Sequence, residues 1–542
     1  MRIENNRWQL NSRDVWHGVK CQDHCLKISM AVAAGVPEVV ARVSSRKESD
    51  GEKFRKEQGN EFETLRFAEL AKNLGADFVA LADYSDINQT KGVARMGKPV
   101  IGQAPATKNY DQFDFNGRVD LLVRSDYEIA FAEDGTLTAI QNSSIENDGK
   151  YRVWEIKHAS STNGDGKPKD ISNYKNQLGM NIEALQGMGL ASDRESGIVF
   201  KLQDLVMFDP QVLVAEVQAS RETMFEYLTE INPTKAKELE VQDWRCAKKS
   251  LCTDARCDYP DICTDTRIEN DEISQLYNPH STHTAKFLAN GFDTIKKIAD
   301  GELSVTGIDP KQLNRHKLTA QAIVESKETG KPSLKKMAAV WDVEKALPVR
   351  SPGDLFVDFE WYTPLNSRDE IYYMFGSTDV NENPAQFTAE GEFSELDVFM
   401  SFVDLVEAAI TAHPEMHLYI ASNAEVWRTK ALATRHGLSD ERTEAITTRY
   451  FDLQQCAAQA IAVSTGSFGL KAVEQFYMPS KEHHRATQTE DGEGSLWMYH
   501  EYLKYAAVGK IKEANAFLDD IKKYNLEDCL STKRFYDWLA SI

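Results

Sequence analysis

One apolar stretch in the last third of the chain constrains the fold more than any other feature. It reads Leu355-Phe356-Val357-Asp358-Phe359-Glu360-Trp361, which is typical of a buried strand, yet it contains two acidic residues. Side chains alternate between the two faces of a strand, so Asp358 and Glu360 point to the same side. Two neighbouring carboxylates there repel each other and lose hydration. A divalent cation between them removes both penalties; the plain alternative is a solvent-facing edge strand.

The C-terminal segment predicts a long helix with one buried face. A stripe at spacings of three and four residues runs along it: Ala514, Leu518, Ile521, Asn525, Asp528, Thr532, Phe535 and Leu539. Asp528 lies within this stripe, where a lone buried carboxylate would be costly. Tyr524 lies one helical turn before Asp528, so its hydroxyl faces the same side. An Asp-x-Glu strand combined with a Tyr-x-x-x-Asp helix is a specific pattern.

This pattern resembles the DEDD exonucleases of the RNase H-like superfamily, in the subclass with a tyrosine in the last motif. Asp358 and Glu360 match motif I, and Tyr524 and Asp528 match motif III. Residues 523–529 look like the Tyr-Asn-x-x-Asp-Cys signature of one bacterial branch, which residues 467–471 and 493–495 also resemble. The resemblance implies an RNase H-like α/β domain with exonuclease activity.

The same resemblance assigns the remaining ligands and their roles. Glu425, after the strand-like run from Leu418, takes the place of the motif II acid, with Asp452 as a possible extra acid and an ordinary solvated glutamate as the alternative. Two Mg²⁺ or Mn²⁺ ions about 4 Å apart are implied, held by the four carboxylates with Asp358 between them. Tyr524 would orient the attacking water, because a phenol with a pKa near about 10 is a poor base.

A second set of candidate residues lies between positions 110 and 158, where the alternating pattern predicts an antiparallel meander followed by a helix from about 171 to 190. Asp120 follows Gly117 on one strand, and Glu155 and Lys157 lie on a later one. Glu155 and Lys157 share a strand face. An acid followed by Glu-x-Lys on a neighbouring strand is the layout of PD-(D/E)XK nucleases, whose acids hold a cation. The alternative is an ordinary cross-strand pattern of charged side chains on the protein surface.

Further residues are similar to the RecB-type branch of these nucleases. Gln177 follows Lys157 on a helix, and Gly59–Glu63 resembles the Gly-x-x-x-Glu motif that precedes the core. The resemblance implies a second Mg²⁺ or Mn²⁺ site that includes Glu63. The chain departs from the branch at two positions: Phe62 stands where many members have a metal-binding histidine, and Asn181 stands in place of a tyrosine.

The cysteines complete this resemblance. Cys246, Cys252, Cys257 and Cys263 are clustered, and Cys21 and Cys25 lie near the start of the chain. RecB-type iron–sulfur nucleases hold a [4Fe–4S] cluster with one cysteine before the core and three after it. The resemblance implies Cys21, Cys252, Cys257 and Cys263 as ligands, with Cys246 or Cys25 as alternates. The competing interpretation is a structural Zn²⁺ site built from the four clustered cysteines.

The order of these parts resembles bacterial RecB-like nucleases with a C-terminal RNase H-like DEDD domain. We therefore expect an α/β, multidomain chain: a PD-(D/E)XK restriction-endonuclease-like core over residues 1–265, a helical connector over 266–350 and an RNase H-like domain over 351–542. Relatives often continue into a superfamily 1 helicase. This sequence contains no P-loop, so we expect a helicase to act in trans or to be missing by truncation.

Composition narrows the class of protein without contradicting this interpretation. The 542 residues carry a net charge of −21, which argues against nonspecific coating of nucleic acid but not against a carboxylate-based nuclease. No apolar window is long enough for a membrane span, so we expect a cytoplasmic protein. The nuclease resemblance implies that it acts on DNA ends or single strands, or on RNA. Two alternatives stay open: a RecB-like domain reduced to DNA binding, and a non-enzymatic scaffold in a repair or defence complex.

Overall fold

The computed structural model describes residues 1–21, 25–44, 50–83, 86–111, 113–163, 166–239, 259–276, 281–337, 347–365, 367, 369–390, 394–478 and 492–542. The chain forms two compact units. The first contains residues 1–48, 55–266 and 364–368, and the second contains residues 49–54, 267–363 and 369–542. Within the described ranges, none of the helices combines the length and apolar composition that a membrane span requires.

The first unit contains both strands and helices. Its strands are β1 (Arg2–Glu4), β2 (Arg7–Leu10), β3 (Phe78–Ala80), β4 (Val100–Asn109), β5 (Phe113–Arg124), β6 (Tyr127–Phe131), β7 (Leu137–Gln141), β8 (Tyr151–Lys157), β9 (Ser196–Phe200) and β10 (Asp204–Phe208). Its helices lie wholly or mainly in this unit: α1 (Ser12–Lys20), α2 (Lys27–Ala34), α3 (Pro37–Ser44), α4 (Asp50–Leu74), α5 (Ile87–Arg95), α6 (Ser172–Gly187), α7 (Pro210–Glu230) and α8 (Pro260–Glu269).

Strand β5 is the centre of the first unit's large sheet. One edge of β5 pairs antiparallel with β4. The other edge pairs parallel with β2 near its start and antiparallel with β8 near its end. The expected meander is therefore corrected: β6 and β7 form a separate two-stranded sheet, and β8 returns to β5. The turn of this hairpin contains Gly135, which has a positive φ of 79°, a conformation that a residue without a Cβ tolerates.

A β–α–β unit positions the candidate residues of this half of the chain. β8 continues through α6 to β9, and β8 and β9 pair in parallel. Trp154 and Ile156 of β8 face a core with Phe62, Leu121 and Val199. The alternation of a strand therefore turns Glu155 and Lys157 to the opposite face, which α6 covers.

The second unit is built around one mixed sheet. Its strands are β11 (Leu334–Lys336), β12 (Leu355–Tyr362), β13 (Ile371–Asp379), β14 (Pro384–Thr388), β15 (Leu418–Ile420), β16 (Tyr450–Asp452) and β17 (Ile461–Val463). Its helices are α9 (Ser281–Ala289), α10 (Ile295–Asp300), α11 (Pro310–Thr329), α12 (Glu395–Ala412), α13 (Ala424–His436), α14 (Asp440–Thr447), α15 (Leu453–Ala460), α16 (Leu470–Tyr477), α17 (Gly492–Ala507) and α18 (Ile511–Ser541).

The main sheet of the second unit has the order β14-β13-β12-β15-β16. β12 pairs antiparallel with β13 and parallel with β15, so it is the central strand. The odd-numbered residues Leu355, Val357 and Phe359 pack in a core with Phe399, Phe402 and Val406 of α12. The even-numbered residues face the other side, where Phe356 packs in a core with Phe535 and Leu539 of α18. Asp358 and Glu360 share that side.

The segment that was expected to form a helical connector lies mostly within the second unit. The strand β11 pairs antiparallel with β17, from Leu334 opposite Val463 to Lys336 opposite Ile461. A small core that includes Ile273, Phe287, Ile295 and Ala320 joins helices α9, α10 and α11. The helices of this segment thus lie in the same compact unit as the main sheet.

Candidate functional site

Three carboxylates from distant parts of the sequence meet beside β12. Asp358, Glu360 and Asp528 each contribute an oxygen atom, and these oxygens lie within 4.8 Å of one another. Glu360 and Asp528 are buried, whereas Asp358 is partly exposed. β12 supplies the first two on one face, and α18 supplies Asp528 from its buried stripe, whose members are all buried as the periodicity predicts. Clustered hard oxygen donors of this kind suit Mg²⁺ or Mn²⁺.

Neighbouring polar groups hold two of these carboxylates in place. Asn525 Nδ2 donates to Asp358 Oδ2 at 3.0 Å and to the Asp358 carbonyl at 3.1 Å. Ser495 donates its hydroxyl proton to Glu360 Oε2 at 2.6 Å. Gln386 in turn donates to Asn525 Oδ1 at 3.0 Å. The carboxylates are therefore oriented before any ion binds, which is the arrangement that supporting residues give to metal ligands.

The cluster is electrostatically unfavourable without a cation. Burial, together with the carboxylates of Asp528, Glu360 and Glu425, raises the pKa of Asp358 well above its usual value. Burial also raises the pKa of Glu360 to about 8, although the hydrogen bond from Ser495 acts in the opposite direction. Repulsion of this type is what bound divalent ions relieve. The donor set therefore fits the metal ions that the sequence implies.

Glu425 and Tyr524 line the same cleft, which has a volume of about 500 Å³ and also contains Asp358, Asp528 and Lys471. Glu425 is 6% exposed, and burial raises its pKa. Its carboxylate accepts hydrogen bonds from Ser422 at 3.2 Å and from Arg428 at 3.4 Å. The surroundings of Glu425 are thus not those of a solvated surface glutamate.

Asp452 has a structural partner of its own. Its side chain accepts a hydrogen bond from the backbone N–H of Gln455 at 2.9 Å and caps α15. Burial is the largest cause of the raised pKa of Glu425, and the charge of Asp452 makes a smaller contribution in the same direction. It therefore acts on Glu425 through its charge while it completes the start of a helix.

The candidate residues of the first unit also converge. Lys157 Nζ lies 3.1 Å from Asp120 Oδ2 and 2.8 Å from Glu155 Oε2. Gln177 donates to Glu155 Oε2 at 2.6 Å, and Asn181, one turn later on α6, donates to Glu155 Oε1 at 2.7 Å. Every hydrogen-bonding side chain named here comes from β5, β8 or α6, so the β–α–β unit builds the centre.

One lysine, Lys157, forms ion pairs with both Asp120 and Glu155 in this second centre. Burial and then Asp120 raise the pKa of Glu155 to about 8. Burial alone would lower the pKa of Lys157, but the carboxylates of Asp120 and Glu155 more than offset it, so the pKa is raised. Lys157 therefore stays protonated between the two acids.

Glu63 approaches the centre from α4. Burial and then Asp120 raise the pKa of Glu63 to about 7. Its carboxylate accepts a hydrogen bond from Gln103 and lies 3.6 Å from Arg118 Nη2. Gln103 has a φ of 58° in the middle of β4, a conformation that costs a residue with a Cβ about 1–2 kcal/mol. Phe62, beside Glu63, is fully buried in the core and offers no metal ligand.

Each centre contains a glycine that makes room for an asparagine. A Cβ on Gly376, opposite Asp358 in the sheet, would lie 1.7 Å from Asn525 Oδ1. A Cβ on Gly117 would lie 2.1 Å from Asn181 Oδ1. Real Cβ atoms never approach so closely, so both glycines are required by the close approach. This gives the Gly117 of the Gly-x-x-Asp pattern a physical reason.

The described cysteines of the first unit lie together. Cys21, Cys25 and Cys263 form one buried cluster, with Tyr259 packed against it. None of the cysteines in the described ranges forms a disulfide. Cys246, Cys252 and Cys257 lie outside the described residues. The structure thus brings an N-terminal cysteine pair to the end of the cysteine-rich segment.

Several residues of both centres had no role in the sequence-based predictions. Asn525 was visible only as a polar member of the buried stripe, and Ser495 and Lys471 only as parts of similar segments. Gln103 gave no signal, because its position depends on a left-handed backbone conformation in a strand. A polar residue at a predicted core position is the signal that could have identified Asn525.

Comparison with known proteins bears on one part of the chain. No curated protein and no solved structure matches the chain. Residues 355–540, which carry the Asp358, Glu360 and Asp528 cluster, match the family model RNase_H_2 of the RNase_H superfamily, and this C-terminal part of the chain is therefore RNase H-like.

Proposed function

We propose that this protein is a metal-dependent nuclease that hydrolyses phosphodiester bonds, with DNA ends or single strands as its substrates. The observation that carries the proposal is the convergence of Asp358, Glu360 and Asp528 within an RNase H-like domain. An RNase H-like domain is consistent with phosphodiester hydrolysis, and an acidic cluster of this kind is suited to divalent ions.

The C-terminal centre would act as a DEDD-type exonuclease site. Asp358, Glu360, Glu425 and Asp528 would hold two Mg²⁺ or Mn²⁺ ions, which supply Lewis-acid stabilisation of charge on the scissile phosphate. Tyr524 would orient the attacking water from the cleft wall. Asn525 and Ser495 would keep two of the carboxylates in position, and Lys471, in the same cleft, would attract the phosphate.

The first unit would contain a second, RecB-like nuclease site. Its support is the contact network of Asp120, Glu155, Lys157 and Gln177, with Glu63 nearby. The sequence of elements α4, β4, β5, β8, α6 and β9, interrupted by β3, α5 and the β6–β7 hairpin, also supports a PD-(D/E)XK core. Asp120, Glu155 and Glu63 would hold Mg²⁺ or Mn²⁺, and Lys157 would orient water or the phosphate.

A second function for this unit is favoured by one specific contact. The ammonium group of Lys157 lies between Asp120 and Glu155, and Phe62 offers no ligand. Both features favour a unit that binds DNA without cleaving it. The variant Lys157→Ala distinguishes catalysis by this unit from DNA binding alone. Loss of one nuclease activity, with the other retained, supports catalysis, and digestion equal to that of the wild type supports DNA binding. A scaffold without any activity is the remaining outcome.

The cysteine cluster would hold a [4Fe–4S] cluster, with structural Zn²⁺ as the alternative. Thiolates are ligands for both. The proximity of Cys21 and Cys263 in one buried group, which also contains Cys25, supports a shared site. Cys21, Cys252, Cys257 and Cys263 would be the four ligands, with Cys246 or Cys25 as alternates. Anaerobic purification should give a brown protein with broad visible absorbance; a colourless protein containing zinc contradicts the iron–sulfur assignment.

The main test is hydrolysis of end-labelled single-stranded DNA, duplex DNA and RNA in Mg²⁺ or Mn²⁺. Asp358→Asn should reduce digestion from the 3′ end at least about a hundredfold, because several kcal/mol of charge stabilisation are lost. The matched control is Asp404→Asn, since Asp404 is an exposed acid on α12. Undiminished digestion by a chain carrying both Asp358→Asn and Glu155→Gln would refute the proposed function.

A further inference from the structure

A cavity in the first unit lies at the carboxyl ends of two parallel strands. β8 ends at Lys157 and β9 at Phe200, and these two residues are partners in the sheet. The cavity has a volume of about 400 Å³, and its walls include Ser160 and Lys201, from the segments that follow the two strands. The first turn of α6, which connects the strands, forms another wall. Ligands of α/β sheets bind beyond the carboxyl ends of parallel strands.

The lining of this cavity is polar and carries more positive than negative charge. Lys169 and Lys201 contribute two ammonium groups, and Asp170 contributes one carboxylate. Asp170 accepts a hydrogen bond from the backbone N–H of Ser172 at 2.9 Å, so it is directed at the start of α6. Burial and then Lys201 lower the pKa of His158 to about 4, so its imidazole is neutral and adds no charge. In a chain with a net charge of −21, such a cavity is suited to an anion.

A buried hydroxyl group in the wall lacks a hydrogen-bond partner. Ser160 is 9% exposed, and its Oγ atom has no partner among the described residues. Leaving a buried polar group unsatisfied costs about 1–3 kcal/mol, and a rotation of the Ser160 side chain that turns its hydroxyl toward a bound ligand removes this cost. The N-terminus of α6 adds the positive end of the helix dipole. These features are independent of each other and favour the same kind of ligand.

We propose that this cavity is a phosphate-binding subsite for the nucleic-acid strand. The inference rests on the proposed nuclease function and deepens it. His158 directly follows Lys157, and Tyr174 lies one turn before Gln177 on α6, so the cavity adjoins the centre of Asp120, Glu155 and Lys157. A phosphate held here would position a neighbouring phosphodiester at that centre.

The phosphate has two possible sources, which share one chemistry. It is either a terminal 5′-phosphate or an internal phosphodiester of the strand. Two 3′-fluorescein single strands of the same sequence distinguish them, one with a 5′-phosphate and one with a 5′-hydroxyl. Binding is measured by fluorescence anisotropy over a range of salt concentrations, with divalent ions removed so that no strand is digested.

The test compares the full chain with two variants and one control. Lys169→Ala/Lys201→Ala should raise Kd at least about tenfold and reduce the slope of log Kd against log salt by about 1 to 2, because each lysine contacts phosphate. Ser160→Ala should raise Kd about fivefold with little change in that slope, since it removes one hydrogen bond. The control is Lys72→Ala, an exposed lysine on α4 that pairs with Asp134 outside the cavity.

Each outcome decides the inference. A larger loss for the 5′-phosphate strand assigns the cavity to the terminal phosphate, and an equal loss for both strands assigns it to an internal one. Variants that bind both strands like the wild type overturn the inference, as does a wild type that binds neither. The proposed function is judged separately by Asp358→Asn in the hydrolysis assay, because that residue belongs to the other unit.

Discussion

Replacing Gly376 by alanine tests whether a glycine in β13 is required for the orientation of Asp358. The new Cβ would lie 1.7 Å from Oδ1, 2.6 Å from Cγ and 3.0 Å from Nδ2 of Asn525. Asn525 is completely buried, so its amide has to leave its position between Asp358 and Gln386. The substitution therefore acts on the carboxylate cluster through a residue that is not itself a proposed ligand.

The magnitude follows from the hydrogen bonds that Asn525 would lose. Its bond to the Asp358 carboxylate is charge-assisted and worth about 2 kcal/mol, and the bond from Gln386 is worth about 1 kcal/mol. Gly376→Ala and Asn525→Ala should each destabilise the second unit by about 3 kcal/mol. At about 2–4 °C per kcal/mol, each should lower its Tm by about 6–12 °C.

The double variant provides the decisive measurement. With Asn525→Ala in place, the Cβ of position 376 has room, so the double variant should be no less stable than Asn525→Ala alone. The coupling energy between the two positions is then about 3 kcal/mol, well above the value for independent sites. Thermal unfolding gives the stability, and the metal-dependent hydrolysis rate should show the same lack of additivity.

A specific result would refute this reasoning. Additive losses, with a double variant about 6 kcal/mol less stable than the wild type, would mean that Gly376 and Asn525 act independently. The matched control is Gly92→Ala in α5, where a new Cβ meets nothing within 4 Å. Alanine has the higher helix propensity, so this control should be neutral or slightly stabilising.

Three further predictions concern other buried charges. Burial lowers the pKa of His316 to about 4, below the value of 6.5 in the unfolded chain. The contribution of His316 to the free energy of unfolding is therefore intact above pH 6.5 and falls by up to about 3 kcal/mol towards pH 4. His316→Gln should flatten that dependence in thermal unfolding, and an unchanged curve would contradict it. Glu183 pairs with Arg221 and Lys108 in the core, so Glu183→Ala should cost about 3–5 kcal/mol, whereas the exposed acid in Glu216→Ala should cost less than about 1 kcal/mol; equal Tm shifts would argue against the difference. Lys157→Ala should lower the Tm of the first unit through repulsion between Asp120 and Glu155, and millimolar Mn²⁺ should restore part of it; a Tm indifferent to Mn²⁺ would argue against a cation site there.

Local pattern was sufficient for the strands and helices that carry the carboxylates. The alternation in β12 predicted that Asp358 and Glu360 share a face, and the spacing in α18 predicted that Asp528 is buried. The strand β8 and the whole of α6 were predicted for the same reason. The side-chain period of an element is a local property, so it is readable without knowledge of the fold.

Pairing between distant segments depended on the tertiary structure. The separate β6–β7 hairpin and the return of β8 to β5 are long-range choices that alternation does not encode. The contacts of Asn525 with Asp358 and of Gln103 with Glu63 depend on a missing Cβ and on a left-handed backbone, respectively. These are properties of how elements approach each other.

The sequence by itself identified the candidate acidic side chains of the two centres and the face of each element on which they lie. The tertiary structure decided which of these faces meet, which glycines must yield space and where the basic cavity beyond β8 and β9 is formed. The physical reason is that residue type and periodicity fix a side chain's direction within its own element, whereas the distance between two elements is set by packing across the whole core.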